Sequence, residues 1–110
     1  MELNEYQKRA VETAVYPDKY KIIYPAVGLG DEAGEVLGKV SKWLRGDDGD
    51  GEMTQERKEA IKLELGDVLW FVSNLAKDIG FSLEDVAVSN IDKLQSRKER
   101  GVIRGDGDNR

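Results

Sequence analysis

Two short stretches of the chain carry the same acidic pattern. Residues 32–37 read EAGEVL and residues 64–69 read ELGDVL. Each stretch has an acid, two residues, a second acid and then Val-Leu, with Gly before the second acid; the four acids are Glu32, Glu35, Glu64 and Asp67. Carboxylates three residues apart lie on one side of a helix. Two such pairs facing each other would form the two halves of one metal site.

Composition narrows the chemistry that is available to the chain. Its 110 residues include no His and no Cys. This excludes Ser-His and Cys-His nucleophile pairs, a disulfide framework and the usual ligands of catalytic zinc. The formal net charge of -5 predicts a surface that attracts neither nucleic acid nor an anionic membrane. We see no bilayer-spanning apolar run and no signal-peptide pattern, and therefore expect a cytoplasmic protein.

Helical periodicity recurs along most of the chain, and strand signals are scarce. We predict an all-α class with a four-helix arrangement, as one domain over residues 1–110. The expected helices run from about Asn4 to Tyr16, Pro25 to Leu44, Gln55 to Ile79 and Leu83 to Arg100. The tail over residues 101–110 is too rich in Gly and Asp for regular structure.

Cap signals mark three of these helices. Asn4 with Gln7 is a candidate capping box for the first helix, and Thr54 is a candidate N-cap for the third. Ser82, with Asp85 three residues later, predicts the start of the fourth. The polar loop at Gly46–Glu52 lacks the Gly at the sixth position that an EF-hand calcium loop needs, so we interpret it as a solvent loop.

The second and third helices repeat a whole face, and not only the acidic hexamer. At about 100° per residue, each carries an apolar arc with its two acids on the same shoulder, at an offset of 32 residues. The arcs are Leu29, Ala33, Val36, Leu37, Val40, Trp43 and Leu44 on the second helix, and Ile61, Leu65, Val68, Leu69, Val72, Leu75 and Ala76 on the third. Antiparallel packing along these arcs brings the acidic shoulders together.

Four converging carboxylates repel one another unless a proton or a cation lies among them. Ligands that offer only oxygen select a hard ion such as Mg²⁺, with Mn²⁺ as an alternative. Because Mg²⁺ usually takes part of its shell from substrate phosphates, the substrate is expected to be a phosphate ester or anhydride. Either acid pair alone is typical of a solvated helix edge, and only their matched recurrence favours a site. The mid-helix glycines, among them Gly34 and Gly66, predict close approach of another backbone or a ligand.

The fourth helix offers the opposite charge. Asn90, Lys93 and Arg97 fall on one stripe beside apolar positions, where they could clamp phosphates that a metal does not neutralise. The alternative is a set of ion pairs with acids of the neighbouring helices. Lys39, with Lys42, lies on the acidic shoulder of the second helix and is a further candidate for substrate binding.

The stretches GLGDEAGEV, ELGDVLWFV and NIDKLQSRKERGVIRGDGDNR resemble the MazG-like nucleotide pyrophosphohydrolases, of the all-α nucleoside triphosphate pyrophosphatase superfamily. The E-x-x-E, spacer, E-x-x-D motif of that family is matched by the four acids, and its downstream K-x-x-x-R by Lys93 and Arg97. Asp31 occupies the leading position of a longer E-E-x-x-E form, but its helical angle points away from the site. The resemblance implies Mg²⁺-dependent hydrolysis of (deoxy)nucleoside triphosphates to monophosphate and pyrophosphate. Which carboxylate is the general base does not follow from the sequence, and Glu35 is our first candidate.

Other functions remain open at the level of sequence. The chain could be a non-catalytic helical interaction module, or within the enzymes a dUTP- or dCTP-specific hydrolase or a phosphoribosyl-ATP pyrophosphohydrolase. No side chain is identifiable as a reader of the base, although Tyr16, Tyr20 and Tyr24 could stack on one. Trp70 points away from its apolar arc, so we predict a homodimer, or a dimer of dimers, with Trp70 at an interface.

Overall fold

The structure is a computed structural model that describes residues 1–47 and 51–110. It contains four α-helices: α1 (Leu3–Val11), α2 (Ile23–Arg45), α3 (Gln55–Asp78) and α4 (Leu83–Glu99). A 3₁₀ turn covers Asp18–Tyr20, and the described residues include no strand. The predicted all-α class is therefore confirmed. The centre of the predicted solvent loop, residues 48–50, lies outside the described residues.

Helices α2 and α3 form the hairpin on which the rest of the chain is built. Gly46 ends α2 in the left-handed conformation, with φ at 70°, which a residue without Cβ adopts at little cost. Thr54 caps α3 as predicted, because its hydroxyl accepts from the Arg57 N–H at 3.2 Å. The indole N–H of Trp43 donates to the Gly51 carbonyl at 2.7 Å and holds the far side of the connection against α2.

The capping box predicted at Asn4 and Gln7 is wrong for α1. The N-cap of α1 is Glu2, and its side chain makes no cap hydrogen bond. The side chain of Asn4 instead accepts from the Glu84 N–H at 3.1 Å, and that of Gln7 accepts from the Leu83 N–H at 3.1 Å. The polar side chains of α1 thus satisfy open backbone donors at the start of α4.

The start of α4 also carries its own predicted cap. Ser82 accepts from the Asp85 N–H at 3.0 Å, while the Asp85 carboxylate accepts from the Ser82 N–H at 3.4 Å. This reciprocal pair is the capping box expected from the sequence. Together with α1, it fixes where α4 leaves the α2–α3 hairpin.

Helix α1 ends at Val11, five residues earlier than expected, and the chain then crosses to α2 through a connector tied to α3. Asp78 makes this tie: its Oδ2 accepts from the Tyr16 hydroxyl at 2.8 Å and from the Ile22 N–H at 3.0 Å. Ile22 has a φ of 70°, which is strained for a β-branched residue. The two hydrogen bonds to Asp78 therefore hold a backbone turn that the residue itself disfavours.

We expect Tyr16→Phe to lower the free energy of unfolding by about 1.5–3 kcal/mol, the range for a hydrogen bond to a charged group. The ring remains and keeps its contact with Tyr24, at 5.0 Å between centroids, so the loss reports the hydroxyl alone. Tyr20→Phe is the matched control, because Tyr20 is exposed and packs against Lys19. Urea unfolding of both variants measures the difference, and equal stabilities would contradict the role given to Asp78.

Much of the apolar surface of the hairpin is open within one chain. The accessible surface is 8050 Å² and the radius of gyration is 17.0 Å. A compact monomer of this size would have roughly 6,100 Å² and about 13 Å. Four leucines of the predicted apolar arcs are exposed, at Leu37, Leu44, Leu65 and Leu69. The arcs are therefore only partly covered by packing within the chain.

The mid-helix glycines are of two kinds: one lies against another helix of the chain, and the others face open space. A Cβ at Gly28 would clash with the ring of Phe71, so this glycine is needed for the contact of α2 with α3. Among the described residues, nothing lies within 4 Å of a Cβ placed at Gly30, Gly34, Gly38 or Gly66. Close approach within the chain, one of the two reasons predicted for these glycines, is thus wrong for these four.

Trp70, which was predicted to lie at an interface between subunits, has cover within its own chain. Its indole N–H donates to the Thr13 hydroxyl at 2.7 Å, and its ring meets Phe71 edge-on at 4.9 Å between centroids. The connector after α1 provides this cover. The apolar residues that remain open include the exposed leucines of α2 and α3, which are better candidates for an interface than Trp70 is.

No described helix combines the length and the apolar composition that a membrane-spanning helix needs.

Candidate metal centre

Helices α2 and α3 bring three of the four repeated acids together. Glu32, Glu64 and Asp67 each offer a carboxylate oxygen, and these oxygens all lie within 4.8 Å of one another. Ligands on opposite sides of Mg²⁺ are roughly 4.2 Å apart, since each Mg–O bond is about 2.1 Å. A small closure of the three side chains therefore fits them to the ion. The all-oxygen donor set is the one that hard cations select.

The cluster carries more negative charge than its surroundings balance. Partial burial, with the charges of Asp67 and Glu64, raises the pKa of the Glu32 carboxyl above its usual value. Lys39 supplies a positive charge, since its Nζ lies 3.6 Å from Oε1 of Glu64. One ammonium group does not neutralise three carboxylates, so a divalent cation at this position would stabilise the site.

The fourth repeated acid lies beside this group and outside it. Glu35 follows Glu32 by one helical turn and is exposed, and it is not among the three carboxylates whose oxygens converge. Asp31 is also exposed and outside the group, in keeping with its predicted angle. The structure therefore separates three converging carboxylates, of which Glu32 and Glu64 are partly buried and Asp67 is exposed, from a neighbouring exposed carboxylate.

The basic residues of α4 are paired with the C-terminal tail. Asp108 Oδ1 lies 3.2 Å from Lys93 Nζ and 3.1 Å from Arg97, and the Asp108 backbone carbonyl also accepts from Arg97 at 3.2 Å. Hydrogen bonds from Lys93 and Arg97 lower the pKa of the Asp108 carboxyl. The ion pairs predicted as an alternative, with acids of neighbouring helices, are not found among the described residues. Asn90 is exposed and lines a surface cleft with Lys93.

The tail itself consists of turns and bends, as predicted, but it folds back on α4. The guanidinium of Arg110 donates to the carbonyls of Val102, Ile103 and Gly107. The guanidinium of Arg100 donates to the Arg110 carbonyl at 2.6 Å. These bonds place Asp108 over the basic pair of α4, where Arg97 is only 5% exposed.

A cleft of about 390 Å³ lies beside the acid trio. Its lining residues are Thr13, Glu32, Asp67, Trp70 and Phe71. Thr13 and Trp70 also line a neighbouring cleft of about 450 Å³, in which Tyr16, Tyr20 and Tyr24 form much of the wall. The three tyrosines considered as stacking groups are therefore brought together, next to the space beside the acids.

A further cleft, of about 390 Å³, contains cations of both hairpin helices. Lys39 and Lys42 come from α2, and Arg57 comes from the first turn of α3. Sequence analysis did not single out Arg57. The signal was present in the spacing, because Arg57 precedes Glu64 by seven residues and Lys39 follows Glu32 by seven, which places both cations on the same side of the acids in an antiparallel hairpin.

Comparison with known proteins gives two matches. A family model described as MazG nucleotide pyrophosphohydrolase domain matches residues 26–102. The Gene 37 protein of Mycobacterium phage L5 is 47% identical over 116 aligned residues, which cover all of this chain and all of that protein. No solved structure gives a significant match. The span matched by the family model includes the four repeated acids and the basic pair of α4, and excludes α1 and Asp108.

Proposed function

The chain belongs to the MazG nucleotide pyrophosphohydrolase family, and we propose that it hydrolyses (deoxy)nucleoside triphosphates to the monophosphate and pyrophosphate in a Mg²⁺-dependent reaction. The observation that supports this most strongly is the convergence of Glu32, Glu64 and Asp67, with oxygens within 4.8 Å. These three residues would hold the ion, for which Mn²⁺ is the second candidate.

The proposed reaction is a displacement at the α-phosphorus. The oxygen of a water molecule joins this phosphorus, the bond to the oxygen bridging the α- and β-phosphates breaks, and pyrophosphate leaves. The bound ion would supply Lewis acidity and offset the charge that develops on the phosphates. Glu35 is our candidate for the general base, because it is exposed one turn from the trio and can accept the proton of the attacking water.

The nucleoside is proposed to lie in the cleft that Thr13, Glu32, Asp67, Trp70 and Phe71 line. Glu32 and Asp67 of the trio share the lining of that cleft with Trp70 and Phe71, so a triphosphate at the trio would place its sugar and base near these aromatic side chains. Trp70 and the tyrosines beyond it can stack on any base, since every base has a π-face. Stacking at this position therefore does not select among bases.

The direct test is a panel of ribo- and deoxyribonucleoside triphosphates and phosphoribosyl-ATP, assayed for pyrophosphate release with Mg²⁺ and with EDTA. We expect release that requires the metal. Turnover confined to dUTP or dCTP, or to phosphoribosyl-ATP, would favour the specific hydrolases instead. Absence of release from every compound would favour the alternative of a non-catalytic helical module.

We further propose that the chain functions as a homodimer, with a dimer of dimers as a second possible assembly. The support is the roughly 2,000 Å² by which the accessible surface exceeds that of a compact monomer. An obligate dimer interface buries surface on this scale. The exposed leucines of α2 and α3, at Leu37, Leu44, Leu65 and Leu69, would be covered by the second copy.

A further inference from the structure

The hydroxyl of Thr13 takes part in two hydrogen bonds, and the chemistry of its partners fixes the direction of each. It accepts from the indole N–H of Trp70 at 2.7 Å, because an indole can only donate. It donates to the Ala10 carbonyl at 2.8 Å, because a carbonyl can only accept. The single proton of the hydroxyl is thus directed to α1, and its lone pairs are directed to the indole on α3.

Thr13 is itself held in place by α1. Its backbone N–H also donates to the Ala10 carbonyl, at 3.0 Å, and Ala10 is buried. Gln7 fixes α1 in turn, because its amide donates to the carbonyls of Ser73 at 3.2 Å and Phe81 at 3.1 Å. The position of the Thr13 hydroxyl is therefore set by the packing of α1 against the rest of the chain.

The ring of Trp70 has a second support in Phe71. The two rings meet edge-on, with 4.9 Å between their centroids. Phe71 lies against α2 at Gly28, where a Cβ would clash with its ring. A hydrogen bond weakens steeply away from its preferred angle, so the bond to Thr13 restricts rotation of the indole more than the ring contact does.

This indole is a wall of both clefts near the acid trio. Trp70 and Thr13 line the cleft that contains Glu32 and Asp67, and they also line the cleft of the three tyrosines. Rotation of the indole would change the shape of both. Thr13 lies outside residues 26–102, the span that the family model matches. Its hydrogen bond to Trp70 is thus a feature of this chain beyond the shared acid motif.

We propose that Thr13 is a positioning residue for the nucleoside, since it holds the indole of Trp70 in the orientation that stacks on the base. The inference rests on the proposed function, which places the nucleoside in this cleft. Thr13 acts through Trp70, whereas the acid trio and its ion hold the phosphates. Loss of the hydrogen bond should therefore weaken recognition of the nucleoside and leave recognition of the phosphates as it is.

The test compares two ligands by calorimetry in the presence of Mg²⁺. One is the α,β-imido analogue of dATP, in which nitrogen replaces the bridging oxygen and blocks the proposed reaction. The other is inorganic triphosphate, which has no nucleoside. Thr13→Val keeps the shape of the side chain and removes the hydroxyl. We expect it to weaken binding of the analogue about three- to tenfold, the order set by one neutral hydrogen bond, and to leave the affinity for triphosphate unchanged.

Two further variants separate positioning from general stability. Thr13→Ser keeps the hydroxyl and should bind the analogue as the wild type does. Thr54→Val removes the other threonine hydroxyl of the chain, which caps α3 and lines neither of these clefts. It should lower the melting temperature without changing the affinity for the analogue. A purely structural Thr13 would give the same result in Thr13→Val, and this would overturn the inference.

A double-mutant cycle tests whether Thr13 acts through the indole. Trp70→Phe removes the N–H and keeps an aromatic ring, so adding Thr13→Val to it should not weaken binding of the analogue further. Nuclear magnetic resonance gives a readout without ligand: the Trp70 indole N–H, distinguished from that of Trp43 by Trp43→Phe, should exchange faster with solvent in Thr13→Val.

Thr13→Ala replaces Thr13→Val if circular dichroism shows that the latter does not fold. An equal loss of affinity for both ligands, or a full effect of Thr13→Val in the Trp70→Phe background, would overturn the inference while leaving the proposed function in place. A wild-type protein that binds neither ligand would contradict the proposed function and the inference together.

Discussion

Asp67→Asn and Glu64→Gln are each expected to lower Mg²⁺-dependent pyrophosphate release more than about 100-fold. Outer-shell partners of a metal already cost 10–100-fold when they are removed, and these two residues are proposed as direct ligands. Both substitutions keep the shape of the side chain and remove its charge. The measurement is kcat and KM for pyrophosphate release at saturating Mg²⁺, alongside far-ultraviolet circular dichroism to confirm helical content.

The same variants are expected to be no less stable than the wild type when metal is absent. Each removes one carboxylate from a cluster whose members repel; partial burial first, and then the charges of Asp67 and Glu64, raise the pKa of Glu32. The metal-free melting temperature should therefore hold or rise while activity falls. Glu59→Gln is the control, since Glu59 is an exposed acid on α3 that pairs with Lys62. Full activity in both trio variants would contradict the proposed metal site.

Leu65→Asp is expected to convert the proposed dimer into a monomer. Leu65 lies on the apolar arc of α3 and is 53% exposed within one chain. A charge placed there would have to be buried without a partner in the interface, which costs several kcal/mol. Light scattering coupled to size-exclusion chromatography, at micromolar concentration, measures the mass directly.

Leu63→Asp is the matched control for this change. Leu63 is 70% exposed on the same helix, but two residues before Leu65, which places it on the opposite side. We expect this variant to remain a dimer. A wild-type chain that is monomeric in the same experiment would contradict the proposed assembly, and dissociation by Leu63→Asp alone would move the interface to the other side of α3.

The acid trio could be predicted from the sequence because its determinants are local. The spacing of Glu64 and Asp67 repeats that of Glu32 and Glu35 on a second helix of the same register, and helical geometry converts such spacing into a common face. The starts of α3 and α4 followed from Thr54 and Ser82 for the same reason. Periodicity could not show that Glu35 stays outside the converging group, because that depends on how the two helices rotate against each other.

The contacts that sequence analysis missed join residues far apart in the chain. The side chain of Gln7 accepts a hydrogen bond from the Leu83 N–H, which lies 76 residues away in the chain. No local pattern distinguishes this role of Gln7 from the capping box that was predicted. Trp70 is covered by Thr13 because the connector after α1 turns back at that point. Asp108 reaches Arg97 only because the tail reverses direction after α4. In each case a polar residue had several possible partners, and tertiary packing selected among them.

The central claim is that Glu32, Glu64 and Asp67 hold a divalent cation, and calorimetric titration of the metal-free protein with Mg²⁺ tests it most directly. Wild type and Glu35→Gln are predicted to bind the ion, because Glu35 lies outside the converging trio, whereas Asp67→Asn is predicted to lose most of the affinity. The Glu35→Gln variant should nevertheless hydrolyse nucleotides slowly, because it lacks the proposed general base. Absence of saturable Mg²⁺ binding in the wild type, or equal affinity in Asp67→Asn, would contradict the account.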